Sequence, residues 1–539
     1  MFVDSAMLPD CGWLYKGEGM IPFDAHGAFY PVAEDGGLRR LAVRGAAARI
    51  STAAVSLVLR TGGTVVLARL LTPADFGVVT MVTTFSLLLT NFGLNGFTEA
   101  VIKFDDVDHY TASNLFWLNS VAGLVLAVAL AAAGSLLAGF YRNPLAANVA
   151  TGLSVGIVIG AASAIHFALL KRAMRFTVVS AVEVVALMAY TAVAILLALR
   201  GWGYWALVAG IVAQQVSITI GAWWHCRWIP SLPRRTDKTG SMVRFAAQVY
   251  GQFCLGYSMQ NFDNLLVGWH FNAVALGFYK RAYDLFALSG SQLISPLHNL
   301  ALATLGRLTQ DPARFRRYLA NSLGIIAFVG MAASAELTLV GRDVVRVVLG
   351  PQWSESGRIF ERFGPGIGAM LLCGTVGWIH LSVGKPMRWL RWSLVELAAT
   401  VSLFLVALPW GPAGIAAAWS ISYWTLLIPS LWYAGRPVGF GVSALIAAIW
   451  RYPAAALVAG LVTVAIIRST PFLETPSGTS ASLWAIIIIS TVLVTAYLTM
   501  TILLHRGLAP LRQLTSLLGE LAPSRKALRP TVETVGRHN

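Results

Sequence analysis

The sequence predicts an all-α integral membrane protein, and three observations carry that reading. Hydrophobic residues make up 57% of the 539 and charged residues only 12%, about half the charge of a soluble globular chain. Apolar runs of about 20 residues or more recur along the chain, each long enough to cross a hydrocarbon core of about 30 Å as a helix. The Lys and Arg residues cluster in the short loops between those runs. The net charge of +16 therefore reads as loops facing anionic lipid, not as a nucleic-acid surface. The alternation of a membrane β-barrel is absent.

Taken in order, residues 1–38 mix Gly, Pro, acids and aromatics without a sustained apolar run. No basic segment leads into a signal-peptide core, so this stretch is expected to be a disordered cytoplasmic leader, with Met7 and Met20 as alternative starts. About 14 transmembrane helices follow. They are expected over 46–69, 76–102, 112–140, 145–170, 177–199, 202–225, 245–270, 276–303, 318–340, 358–383, 389–409, 412–434, 441–467 and 481–504. With the amino terminus inside, one face receives basic groups such as Arg39, Arg44, Lys171, Arg172, Arg234, Arg235, Arg314, Arg316, Lys385 and Arg388, and the other face far fewer. The bias predicts both termini in the cytoplasm. Cys11, Cys226, Cys254 and Cys373 are scattered, with neither metal-ligand spacing nor a disulfide framework. They are expected to be packing residues.

Internal repeats set the predicted architecture. Met174-Arg175-Phe176 precedes Glu183, with His166 and Arg172 upstream; Met387-Arg388-Trp389 precedes Glu396, with His380 and Lys385 upstream. The copies lie 213 residues apart (174 to 387). The linker Leu71-Thr72-Pro73-Ala74-Asp75-Phe76-Gly77 matches the shorter linker ending Leu276-Gly277, and Gly203-Tyr204-Trp205-Ala206 resembles Gly414-Ile415-Ala416-Ala417. Two parallel six-helix repeats around a central cavity, plus two C-terminal helices, are the result. Residues 39–226 are the N-terminal lobe, 227–244 a basic cytoplasmic linker, 245–435 the C-terminal lobe, 436–505 the two additional helices and 506–539 a basic cytoplasmic tail. Such an arrangement suits alternating access of two lobes.

Within this frame an ionisable group at membrane depth costs a few kcal/mol at least, which makes Asp263 the foremost candidate. On its helix Gln248, Gln252, Met259, Asp263 and His270 fall within about 60° of one another. On the first helix Arg49, Ser56, Arg60 and Gly63 form a similar stripe. Both stripes are read as lining the cavity, with Arg60 receiving an anionic group and Asp263 as its counter-charge or as a proton or cation site. A plain Arg60–Asp263 latch is the competing reading. Lys280 and Asp284 are spaced as a routine helix ion pair, whereas Arg281 points elsewhere and suits bidentate capture of phosphate or carboxylate. Glu183 and Glu396, at matching places in the repeat, are ion-coupling candidates ranked below Asp263. His166, His298 and His380 are isolated and read as structural. Nucleophile elbow, P-loop, dinucleotide fingerprint and HExxH are all missing, so no cofactor, metal or enzymatic activity is expected.

The chain resembles the lipopolysaccharide and exopolysaccharide repeat-unit (Wzx-type) flippases of the multidrug/oligosaccharidyl-lipid/polysaccharide exporter superfamily. Ala68-Arg69-Leu70-Leu71-Thr72-Pro73-Ala74-Asp75-Phe76-Gly77 carries the likeness, together with Asn261-Phe262-Asp263-Asn264 to Gly268, Gly277-Phe278-Tyr279, Ala282-Tyr283 and the loop Lys171 to Phe176. It spans roughly Leu38 to Arg506. The resemblance implies an inner-membrane protein that moves an undecaprenyl-diphosphate-linked oligosaccharide to the periplasmic leaflet, with membrane lipids, a polysaccharide polymerase and chain-length proteins as partners. It also implies a cationic cavity, matched here by Arg60 and Arg281. A cation-coupled multidrug exporter and a peptidoglycan-precursor flippase are the alternatives within transport. A membrane-bound polymerase or ligase would need a large outer loop, which the sequence lacks.

Overall fold

The computed structural model describes residues 20–24, 26–29, 37–92, 96–104, 107–234, 236, 239–470, 478–508 and 512; within these, the side chains of 37–50, 92, 252, 255, 259, 289–303 and 386 stand outside the description. Helices dominate, and the described residues contain no strand, only isolated bridges Met20–Cys226 and Phe23–Phe29. The chain divides into two compact units, residues 1–281 with 348–355, and residues 282–347 with 356–539.

The first unit is built from α1 (Gly37–Leu70), α2 (Pro73–Phe92), α3 (Thr98–Lys103), α4 (His109–Ala132), α5 (Gly134–Phe140), α6 (Leu145–Ala161), α7 (Ala164–Arg172), α8 (Phe176–Leu199), α9 (Tyr204–His225), α10 (Thr239–His270) and the first turns of α11 (Ala273–Arg307). The second unit takes the rest of α11, then α12 (Pro312–Leu349), α13 (Ser354–Phe363), α14 (Ile367–Cys373), α15 (Val376–Ser382), α16 (Pro386–Ala407), α17 (Gly411–Gly435), α18 (Val442–Ile449), α19 (Arg451–Ser469) and α20 (Thr479–His505). Among the described residues ten segments are long and apolar enough to cross a membrane, or eleven if α6 and α7, bent by 41°, form one span. One of the ten, Met387–Val438, holds both α16 and α17. The tally is below the expected fourteen, and α10 and α11, which include undescribed side chains, are not in it.

Lipid supplies no hydrophobic drive between helices, so close packing of small residues must hold them together. The tightest such contact pairs the two repeat linkers. A Cβ added at Gly77 would sit 1.7 Å from the Ala273 carbonyl oxygen, and one at Gly277 would sit 1.9 Å from the Pro73 carbonyl oxygen. Each glycine lies four residues into its helix, so the starts of α2 and α11 cross backbone to backbone in a reciprocal manner. Both starts are capped. The Asp75 carboxylate accepts from the Thr72 amide (2.9 Å) and hydroxyl (2.6 Å), and the Asn272 side chain accepts from the Ala275 amide (2.8 Å). Trp353, fully buried, seals the crossing: its indole N–H donates to the Ala68 carbonyl (2.8 Å), and its rings meet Phe76 and Phe278 edge-on at 5.5 and 5.9 Å. Gln352 donates to the same carbonyl.

Part of the leader departs from the disorder expected of it. Met20 pairs with the chain leaving α9, accepting from the Arg227 amide (2.9 Å) and donating to the His225 carbonyl (2.7 Å). Met20 and Phe23 are buried with Phe116, Ile165, Cys226 and Trp228. The Gly27 carbonyl accepts from the His109 amide at 2.8 Å. The stretch lacks a long apolar run, yet two buried side chains and a few backbone bonds suffice to order it against a preformed apolar cluster.

The repeat register also differs from the sequence match. The turn after α7 closes with Met174 in the left-handed region (φ 53°), its neighbour Arg175 donating to the Leu170 carbonyl; the turn after α15 closes with Gly384 (φ 70°), its neighbour Lys385 donating to the His380 carbonyl. Gly201 and Gly411 (φ 78° and 75°) repeat the same offset, 210 residues (174 to 384, 201 to 411). Counted from these turns, Glu183 falls opposite Ser393 and Glu396 opposite Ala186, nearly a turn apart.

Gly77→Ala or Gly277→Ala is expected to force α2 and α11 apart, costing about 1–3 kcal/mol or more. The thermal midpoint of the detergent-solubilised protein should fall, by about 1 °C for each kcal/mol lost in a chain of this length. Gly62→Ala, with nothing within 4 Å of its added Cβ, should leave it unchanged or raise it. Burial beneath Met20 pushes the Cys226 thiol up to about 12, so little thiolate exists at neutral pH. Maleimide should therefore label Cys226 slowly in the wild type and markedly faster in Met20→Asp, as read by mass spectrometry.

Candidate functional site

A cavity of about 270 Å³ opens inside the first unit, enclosed by α1, α2, α6, α8, α9 and the start of α11. Its floor begins at the linker crossing, where Phe76 and Val79 of α2 face Lys280 and Arg281 of α11. The α2 wall continues through Thr80, Thr83, Ser86, Leu87 and Thr90, a spacing of three to four residues that keeps one helix face toward the cavity. Gln214 and Gln215 of α9, Tyr190 of α8 and Thr64 of α1 complete the polar lining; Leu67, Leu153, Leu207 and Ile211 complete the apolar one. None of the described residues lining it is acidic.

The Arg281 guanidinium sits 4.5 Å from the centre of the Phe76 ring. That cation–π contact is worth about 2 kcal/mol in a desolvated setting. Phe76 is itself held edge-on by Trp353, so the crossing fixes where the charge stands. A glycine makes room on the opposite wall: a Cβ at Gly160 would fall 3.2 Å from the Gln215 side-chain oxygen and 3.9 Å from the Thr90 methyl.

Of the residues singled out from the sequence, Arg281 lines this cavity. Asp263 does not. It is fully buried between α10 and α11, where one carboxylate oxygen accepts from the Tyr279 hydroxyl (2.7 Å) and the other from the Asn264 amide (2.8 Å). Arg60 is exposed on α1, one turn before Thr64. Glu183 on α8 and Glu396 on α16 are half-buried, in different units. The side chains of Arg49 and Gln252 fall outside the described residues. The sequence reading passed over Thr80, Thr83, Thr90, Gln214 and Gln215. Their signal was present as hydroxyl residues at helical spacing, and an adjacent amide pair, inside otherwise apolar spans.

An all-helical membrane bundle with a polar, basic cavity inside one helical unit is the architecture of a membrane transport protein. The chain belongs to the family described as polysaccharide biosynthesis proteins, which matches residues 66–358, as the resemblance in the sequence implied. The succinoglycan biosynthesis transport protein ExoT of Rhizobium meliloti is 22% identical over 335 residues, 62% of this chain and 68% of that protein. The lipopolysaccharide biosynthesis protein WzxC of Escherichia coli is 22% identical over 324 residues, 60% of this chain and 64% of that one. The teichuronic acid biosynthesis protein TuaB of Bacillus subtilis is 23% identical over 266 residues, 48% of this chain and 54% of that one. In fold the chain is similar to the lipid II flippase MurJ in an inward closed conformation, with a TM-score of 0.68, 12% identity and coverage of 86% of this chain and 99% of that one. It is also similar to an inward-facing MATE multidrug transporter, with a TM-score of 0.56, 11% identity and coverage of 71% and 94%.

Tyr279→Phe is expected to remove a charge-assisted hydrogen bond from a buried carboxylate, a loss of about 1.5–3 kcal/mol. The thermal midpoint should drop, and Asp263→Asn in the same background should recover part of it, since a neutral amide tolerates the loss better than a carboxylate does.

Proposed function

We propose that this protein translocates undecaprenyl-diphosphate-linked oligosaccharide repeat units from the cytoplasmic to the periplasmic leaflet for surface or extracellular polysaccharide assembly. The observation that carries the reading is the cavity itself, which presents Lys280 and Arg281 among neutral hydroxyls and amides with no acidic lining residue. Such a site favours an anionic head group over a cationic drug. Membership of a polysaccharide biosynthesis family and relatives named for succinoglycan, lipopolysaccharide and teichuronic acid biosynthesis support the same substrate class. A diphosphate-sugar head group cannot cross hydrocarbon unaided, so a wet path is needed while the lipid tail stays in the bilayer.

In this reading the protein lies in the bacterial inner membrane with both termini cytoplasmic, as the distribution of Lys and Arg supports. The two six-helix lobes alternate access, Arg281 and Arg60 meet the diphosphate, and Asp263, Glu183 and Glu396 are the candidates for ion coupling. A polysaccharide polymerase and chain-length proteins receive the translocated units.

The test is a deletion strain complemented with wild type, Arg281→Ala or Arg281→Lys. Deletion should abolish the polymer and accumulate lipid-linked repeat units on the cytoplasmic side. At normal membrane levels Arg281→Ala should cut polymer output by about tenfold or more, a loss of about 1.5–3 kcal/mol of charged hydrogen bonding, and Arg281→Lys should restore only part. Unchanged polymer and precursor pools in the deletion strain would overturn the proposal.

A further inference from the structure

The hydroxyls along α2 have a property that their residue types alone do not specify. Thr80 donates to the Phe76 carbonyl (2.7 Å), Thr83 to the Val79 carbonyl (2.9 Å) and Thr90 to the Ser86 carbonyl (2.9 Å). A threonine hydroxyl has one hydrogen and two lone pairs. Where the hydrogen is committed to the helix backbone one turn back, only lone pairs remain to face outward. All three residues line the cavity, so this wall offers acceptors. Thr80 to Thr90 covers ten residues, or about 15 Å of helix, and its near end lies one turn from Phe76 and the Arg281 charge.

Acceptors repel a phosphate, whose oxygens are themselves acceptors, and they complement a ligand rich in hydroxyl donors. We infer that the α2 threonine stripe is the part of the site that selects sugar hydroxyls, while Arg281 at one end holds the phosphate. The inference rests on the function proposed above and assigns glycan specificity within that site to Thr80, Thr83 and Thr90. An ammonium-bearing ligand also presents donors, but the cavity's lining is basic and holds no acidic residue to receive it. Gln215, given space by Gly160, faces the far end of the stripe with both donors and an acceptor.

The experiment uses the purified full-length protein in detergent and two probes: a short-chain polyprenyl diphosphate, and the same molecule carrying a disaccharide. Binding is read by intrinsic tryptophan fluorescence. Wild type should bind the glycosylated probe about tenfold or more tightly than the bare one, the equivalent of two neutral hydrogen bonds. The Thr80→Val, Thr83→Val double variant should lose that advantage while holding the bare probe unchanged, and the Thr80→Ser, Thr83→Ser variant should keep it. Persistence of the advantage in the valine variant, or its absence in wild type, overturns the inference. Weaker binding of the drug cation ethidium to the valine variant, with no change for the glycosylated probe, also overturns it. Arg281→Ala separates the two readings: it should weaken both probes alike, and if it changes neither, the assignment of this cavity to the diphosphate fails, whatever the threonines do.

Discussion

The contact on which the first unit depends is the crossing of α2 and α11 at Gly77 and Gly277. Within a bilayer the usual drive for burial is missing, because lipid tails are as apolar as leucine. What remains is dispersion, which requires close approach, and backbone polarity, which a glycine exposes. At this crossing each glycine meets a carbonyl of the opposite helix at a range no side chain permits, a geometry that favours weak Cα–H···O contacts. The two capped linkers therefore meet as one rigid element.

That rigidity has an electrostatic consequence. An arginine facing a cavity in an apolar bundle is held by the groups that receive it. Trp353 locks Phe76 from one side, and Arg281 lies over the Phe76 ring. The guanidinium thus stands against a ring that is itself packed against Trp353. The cavity wall then rises from the same helix, so charge and hydroxyl acceptors keep a constant separation along α2. A ligand with a charged end and a hydroxylated end meets a surface of matching order.

The sequence made much of this legible, for identifiable reasons. Apolar run length and loop charge are properties of the bilayer as solvent, so the all-helical membrane fold could be read from composition and spacing. The linkers ending at Gly77 and Gly277 stood out in the sequence, because a cap followed by a glycine is a local signature. Arg281 was legible as a guanidinium at the start of an apolar span. Asp263 was conspicuous for the same reason, yet the structure gives it a buried hydrogen bond from Tyr279. Sequence marks the cost of a buried carboxylate but not which neighbour meets it. The α2 threonines went unread because each hydroxyl can satisfy itself on its own helix and so passes for structural. The packing of Met20 was equally hidden, since the apolar cluster that receives it is assembled from four distant segments.

Side chains and backbone give different registers for the matching segments of the two halves of the sequence. The tripeptides Met174-Arg175-Phe176 and Met387-Arg388-Trp389 align at one offset, whereas the left-handed turns at Met174 and Gly384 align at another, three residues shorter. A left-handed residue after a helix fixes where the next helix begins, because it closes the hydrogen bonds that end the preceding one. Side-chain identity can drift along a helix at little cost in lipid, but a turn that moves by three residues swings the following helix through most of a turn. A charged residue that follows the side-chain register instead, as Glu396 does relative to Glu183, occupies its own environment and must be understood from its own neighbours. The described cavity draws its chemistry from α2, α9 and the start of α11, with Tyr190 of α8 and Thr64 of α1.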